Sequence, residues 1–304
     1  MKRNYTWIIA GLVLVFGIGL LVTTQTQWGG SKDKKLIIPE IEYELAGGPE
    51  EDVRGFGQRD IVDLAGMFPE DFFRNKKTEE KIVALTFDDG PDNVYTPQIL
   101  DVLKKHDVKA TFFLVGNRCD IYNDVVERLN KEGHVIGNHS MTHPNIMKME
   151  PKEVMKELKD ADQAIESIAG YKPILFRSPY GSLNPELLEM IADAGYKIIS
   201  WDVDSLDWKG IPGEEVKLNI IENVQNGSII LQHSTAGKGK DLSGTVEALD
   251  EIITILKRED YQFVTVPELL DIEYKQSSTV AEQSPSEKSP KPAGEKVQTP
   301  TKRS

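Results

Sequence analysis

Lys81-Ile82-Val83-Ala84-Leu85-Thr86-Phe87-Asp88-Asp89-Gly90-Pro91 is the stretch on which the reading of the chain turns. Residues 82–87 are mostly apolar and β-favouring, too few for a helix, and Gly-Pro stops them, which predicts a buried strand. Two carboxylates stand side by side where that strand ends. Burying an ionised carboxylate is costly unless it is paired or binds a metal, and two neighbours also repel, so the pair calls for a positive partner. On this stretch alone, a turn built by Asp88 and Asp89 ahead of Gly90-Pro91 accounts for the pair equally well.

Outward from this strand the same alternation repeats. Strand-like runs fall at 82–87, 110–115, 134–137, 174–176, 197–201, 228–232 and 262–266, with helical patterns at 97–106, 122–132, 151–168, 185–194, 214–225 and 242–259 between them. In the helix at 151–168, Glu153, Glu157 and their neighbours supply a polar side. Alternation of this kind predicts an α/β fold with a parallel sheet and crossover helices. About seven β/α units suit an incomplete barrel better than an open doubly wound sheet. There is no G-x-G-x-x-G and no phosphate loop, which argues against a nucleotide site.

The flanks differ from this region. Residues 1–6 carry Lys2 and Arg3, and an uncharged apolar run from Trp7 to Val22 follows, extended to residue 24 by two threonines. It reads as an uncleaved signal anchor rather than a cleaved signal peptide, because no A-x-A-like site follows it. The basic end then stays cytoplasmic and the rest lies outside, as an extracytoplasmic, membrane-anchored protein; secretion to the cell wall is the alternative. Residues 25–80 read as a stalk with a short helix, and 273–304, rich in Ser, Pro, Lys and Glu, as a disordered tail. The chain has 304 residues and a net charge of −13, which excludes a nucleic-acid binder. Its one cysteine, Cys119, excludes an intrachain disulfide and a cysteine-rich zinc site, and reads as a packed thiol.

Chemistry-bearing residues recur at the ends of the expected strands. His139-Ser140-Met141-Thr142-His143-Pro144 follows 134–137, and two imidazoles four apart can converge on one cation, or can be solvated or capping histidines. With one aspartate they make a two-histidine, one-carboxylate set that suits zinc hydrolysis and also non-haem iron. Arg177, in Phe176-Arg177-Ser178-Pro179-Tyr180-Gly181, is able to pair with a carboxylate, although a lone arginine is more often at the surface. The Tyr180-Gly181 turn offers backbone N–H groups to an oxyanion. Trp201-Asp202-Val203-Asp204-Ser205-Leu206-Asp207-Trp208 brings carboxylates and two indoles, of which Trp201 reads as core. Ile229-Ile230-Leu231-Gln232-His233 ends on a histidine that is structural if taken alone and a general-acid candidate at a shared rim. Five strand ends carrying such residues point to one active site, since parallel α/β folds build theirs from the carboxyl ends of strands.

Residues 81–272 resemble the polysaccharide deacetylase (NodB-like) family, carbohydrate esterase family 4. The resemblance rests on Thr-Phe-Asp-Asp-Gly, His-Ser-x-x-His-Pro, Arg-x-Pro-Tyr, Asp-Ser-x-Asp-Trp and Leu-x-His in this order. Ser178 stands where the third motif often has a second proline, a departure that touches no catalytic group. The resemblance implies a distorted (β/α)7-type barrel and a metal-dependent hydrolase that removes N-acetyl groups from a glycan, peptidoglycan before chitin. An O-acetyl (xylan) esterase and a non-catalytic wall-binding protein are the alternatives. It implies Asp88 as catalytic base, tuned by Arg177, with Asp89, His139 and His143 as metal ligands. His233 would be the acid, with Asp207 as its partner. The Tyr180 backbone N–H would help hold the oxyanion, and Trp208 and Leu231 would shape the acetyl pocket. The implied cofactor is a divalent metal, Zn2+ ahead of Co2+ or Mn2+; the expected partners are an N-acetylated glycan and the membrane, and the expected state is a monomer.

Overall fold

The computed structural model describes residues 62–235 and 241–276. The anchor, most of the stalk and nearly all of the tail lie outside the described residues, among which no helix is long and apolar enough to cross a membrane. In chain order the elements are α1 (Leu64–Met67), β1 (Phe72–Phe73), β2 (Ile82–Asp88), α2 (Tyr95–Lys105), β3 (Thr111–Leu114), α3 (Gly116–Cys119), α4 (Asn123–Lys131), β4 (Val135–Asn138), α5 (Pro151–Ala169), β5 (Leu175–Phe176), α6 (Pro185–Asp193), β6 (Lys197–Ile199), β7 (Val203–Asp204), α7 (Gly213–Ile221), β8 (Ile229–His233), α8 (Ser243–Arg258), β9 (Gln262–Phe263) and α9 (Val266–Leu270). Each of the seven strands and six helices expected from the sequence has its counterpart here.

All the strand ladders are parallel, in the order β1-β6-β5-β4-β3-β2-β8-β7, with β9 beside the start of β2. The sheet curls as a partial barrel, whose two ends are joined by the chain and by no ladder among the described residues. β6 lies near one end of this order and β7 at the other, yet only Ser200, Trp201 and Asp202 separate them along the chain. One run of backbone thus crosses from one edge to the other. Asp202 pins the crossing, accepting hydrogen bonds from the Ile229 N–H (2.9 Å), Ser228 Oγ (3.1 Å) and Asn75 Nδ2 (3.0 Å).

Side chains along each strand alternate between two environments, as the two-residue period of a strand requires. Ala84, Phe113, Val135, Leu175, Ile199, Trp201, Ile229 and Leu231 fill the barrel interior. Val83, Leu85, Phe87, Phe112, Leu114, Ile136 and Ile230 face outward under α2, α4 and α8. A second outer cluster packs Phe176 and Ile198 against α6, the start of α5 and α1.

Residues 62–80 correct the expected stalk boundary. Leu64 and Phe72 are buried, and β1 pairs with β6 through Phe72↔Ile198 and Phe73↔Ile199. A two-residue strand has no period to read, so its docking is invisible without the partner. At the other end the Ile174 N–H donates to the Tyr274 carbonyl (3.0 Å), which carries the packed region past 272. Cys119 is buried as expected, and burial pushes its thiol up to about 12.

His134, at the start of β4, is buried against Phe112 and accepts the Ala110 N–H on Nδ1 at 3.2 Å. Accepting there requires the neutral ring. Burial, aided by Lys109 and Arg128 and opposed by Glu132, lowers its pKa from 6.5 to about 4. The folded state therefore binds fewer protons than the unfolded state between those values, and stability falls as pH drops through that window. The cost reaches at most about 3 kcal/mol. Thermal melts of wild type and His134→Gln at pH 7 and pH 4.5 should show a smaller acid-induced drop in the variant. An equal drop in both would assign the acid sensitivity to other groups.

Candidate active site

Strand alternation delivers the first set of functional side chains. In β2 the interior positions are Ala84, Thr86 and Asp88, so the first carboxylate of the pair points inward at the carboxyl end of the strand. In β8 the interior positions are Ile229, Leu231 and His233. The parallel register sets Asp88 directly beside His233. His139 and Arg177 follow β4 and β5 on the same interior phase.

Arg177 occupies the centre of this rim and is 1 % exposed. Nη1 donates to Asp88 Oδ1 and to Thr86 Oγ1, both at 2.8 Å; Nε donates to the Ile199 carbonyl at 3.0 Å and Nη2 to the Ser200 carbonyl at 3.1 Å. The guanidinium lies over the Phe113 ring (4.3 Å) and the Trp201 ring (5.5 Å). Gly137 makes room for that floor, since a Cβ there would meet Phe113 at 2.7 Å. Burial lowers the Arg177 pKa and the Asp88 charge opposes it; a guanidinium stays charged regardless.

Asp89 lies just past the strand with a left-handed backbone (φ 70), which turns its side chain away from the course of β2. Its Oδ1 is 3.3 Å from His139 Nε2 and 3.1 Å from His143 Nε2. One ligand atom from each of Asp89, His139 and His143 lies within 4.8 Å of the other two. Two observations test whether this triangle suits a cation. The Asp89 side chain is 27 % exposed, yet Oδ1 is sealed from solvent and receives no aligned hydrogen bond despite the two nitrogens beside it. His139 Nδ1 is 2.7 Å from the Arg177 carbonyl, which only accepts, so Nδ1 carries the proton and Nε2 offers a lone pair toward Asp89. Two imidazoles and a carboxylate converging in this way fit a divalent metal. Burial alone would raise the Asp89 pKa, but the two histidines hold its carboxyl well below the ordinary range.

His233 is oriented from behind. Its Nδ1 is 2.7 Å from Asp207 Oδ1, and its backbone N–H donates to Asp207 Oδ2 at 2.8 Å, an oxygen that also accepts from Thr245 Oγ1 at 2.7 Å. The buried carboxylate thus fixes the proton on Nδ1. Burial alone would lower the His233 pKa, but the Asp207 charge lifts it well above the ordinary value.

The remaining sequence candidates are spread around the rim. Tyr180 sits in a left-handed turn (φ 60) and packs edge-on against the His143 ring at 4.6 Å. Leu231 is interior, paired in register with Thr86 on one side and Asp204 on the other. Trp208 follows Asp207 in a short 3-10 turn with Lys209 Nζ 4.8 Å from its ring. Two members stand in the quoted motifs but were given no role by the sequence reading. Thr86 accepts from Arg177 and donates to the Ile230 carbonyl at 2.7 Å. Its place two residues before Asp88, on the same face, was the available signal. Asp204 shares the interior face with Leu231, and this depends on a β7–β8 register that no local pattern reveals.

A family profile described as polysaccharide deacetylase matches residues 75–199. A peptidoglycan N-acetylglucosamine deacetylase of Bacillus cereus is 44 % identical over 187 residues, covering 62 % of this chain and 67 % of the relative. The chain belongs to the polysaccharide deacetylase family. A peptidoglycan N-acetylmuramic acid deacetylase of Bacillus subtilis is 39 % identical over 193 residues, covering 64 % of this chain and 39 % of that longer relative. Among solved structures of this family, a peptidoglycan N-acetylglucosamine deacetylase superposes with a TM-score of 0.67 at 39 % identity, covering 70 % of this chain and 98 % of that one. The fold of the family is the barrel described above.

Replacing Arg177 by methionine keeps much of the volume and leaves Asp88 buried beside no guanidinium. Breaking a buried pair by removing one partner typically costs about 3–5 kcal/mol. Urea denaturation of Arg177→Met should show a loss of that order; a change under about 1 kcal/mol would mean that the pair does not tie the barrel together.

Proposed function

We propose that the protein is a metal-dependent N-deacetylase of peptidoglycan that releases acetate, acting on N-acetylglucosamine ahead of N-acetylmuramic acid. The single observation that carries this reading is the convergence at one rim of a carboxylate–histidine–histidine triangle with Asp88 and His233 as register partners beside it. The activities of the relatives support the substrate class, and the B. cereus relative supports the order of the two sugars.

Asp89, His139 and His143 would hold the metal, most simply Zn2+, which when bound polarises a carbonyl and lowers the pKa of a bound water toward ~7. Asp88 would accept the proton of the attacking water, and the hydrogen bond from Arg177 keeps that carboxylate aimed inward. The Tyr180 backbone N–H would steady the oxygen on which negative charge develops. His233, whose pKa the Asp207 charge raises, would pass a proton to the departing sugar nitrogen, which is a poor leaving group without it. Asp207 acts through His233 as a positioning residue. Leu231 and Trp208 would border the acetyl methyl. The apolar run at 7–24 would hold the domain outside the membrane, within reach of the wall.

Mass spectrometry of purified wall fragments before and after incubation with zinc-loaded protein tests this directly. The expected outcome is loss of acetyl mass located to glucosamine; binding without acetate release would sink the catalytic reading. Among variants, Asp88→Asn should keep zinc and lose turnover, and His139→Ala should lose both. His233→Ala should keep zinc and lose about 10²–10⁴-fold in rate. Loss of zinc from Asp88→Asn would show that the two aspartates have been given each other's roles.

A further inference from the structure

The loop that carries both histidines is held in an unfavourable backbone shape. Ser140 (φ 66) and His143 (φ 59) are both left-handed, a conformation that L side chains rarely adopt and that persists only where the surroundings over-determine it. Asn138, the last residue of β4, faces outward toward α5 and is fully buried. Its Nδ2 donates to Asp162 Oδ1 (2.6 Å) and to the Leu158 carbonyl (2.8 Å), both on α5. Neither group is able to donate in return, so the amide has one orientation only, and Oδ1 is left to accept the Ser140 N–H at 2.7 Å. Ser140 Oγ then accepts the His143 N–H at 3.0 Å. At the tip of the loop, Glu157 of α5 clamps Thr142 twice, accepting its N–H at 2.7 Å and its hydroxyl at 3.0 Å.

We infer that α5 is the brace of the histidine loop, with Asn138 and Glu157 as positioning residues that set the metal affinity of His139 and His143 without touching the ion. The inference rests on the proposed metal site. The helix acts at both ends of the loop: at its root through Asn138 of β4, whose amide Asp162 and the Leu158 carbonyl orient, and at its tip directly through Glu157. Between them Asn138 and Glu157 fix a left-handed turn that the loop's own sequence does not favour. The other oxygen of Asp162, Oδ2, accepts from the Tyr196 hydroxyl at 2.6 Å and lies 3.5 Å from Lys172 Nζ, while Oδ1 alone meets Asn138.

The test measures zinc affinity of the full chain by competition with a chromogenic chelator, and the visible absorption of the cobalt-loaded protein. Wild type, Asn138→Ala, Glu157→Ala and the control Tyr196→Phe are compared. Tyr196→Phe removes a bond to the same buried carboxylate but leaves Asn138 and its partners in place. Asn138→Ala and Glu157→Ala should each weaken zinc binding about 10-fold or more and alter the cobalt spectrum, while Tyr196→Phe keeps both. Wild-type affinity in both α5-contact variants, or an equal loss in Tyr196→Phe, overturns the inference. Should Asn138→Ala not fold, Glu157→Ala, at a half-exposed helix position, decides alone. A wild-type chain that binds no zinc overturns both this inference and the metal site on which it rests.

Discussion

The buried pair of Arg177 and Asp88 is the constraint on which the rest of the structure depends. Arg177 leaves the end of β5, crosses the barrel interior and spends its donors on β2, through Thr86 and Asp88, and on the end of β6, through the Ile199 and Ser200 carbonyls. Those carbonyls begin the backbone run that carries the chain from β6 to β7 and joins the two ends of the partial barrel. One side chain therefore ties the strand that bears the carboxylate pair to the run that joins those ends. Its own carbonyl fixes the tautomer of His139. A full positive charge in the interior would be costly alone, and it is tolerated because every direction it faces offers a carboxylate, a carbonyl, a hydroxyl or an aromatic face.

Around that pair the site is assembled by two different devices. Strand alternation aims Asp88 and His233 inward, and the parallel ladder sets them side by side. Left-handed turns immediately beyond the strands do the rest: Asp89, Ser140, His143 and Tyr180 all have positive φ. The first device is inherited from the sheet and is rigid. The second needs outside support, and the hydrogen bonds that Asn138 and Glu157 accept from the histidine loop are of that kind. The register pair on the strands is the one proposed to move protons, while two of the three proposed metal ligands, Asp89 and His143, lie in the left-handed turns.

Much of this was legible in the chain before any coordinates. Residues 82–87 are bounded by Gly-Pro and followed by two aspartates, and local chemistry alone gives the strand, its end and the charge at its tip. The seven-fold alternation of strand and helix gave a parallel sheet and favoured an incomplete barrel, and the five motifs gave the family resemblance, its barrel and the candidate residues, because both are patterns of neighbours along the chain. Other features had to wait for tertiary structure. β1 is two residues long and exists only because β6 is there to pair with it. Asp204 joins the interior only through the β7–β8 register. Whether Arg177 lay at the surface or in the core, and whether His233 stood alone or had a carboxylate partner at the shared rim, depended on Asp88 and Asp207 lying opposite them. A local pattern records which side chains are available. Only the packed barrel decides which charges are taken out of water together, because burial and pairing belong to groups far apart in the chain.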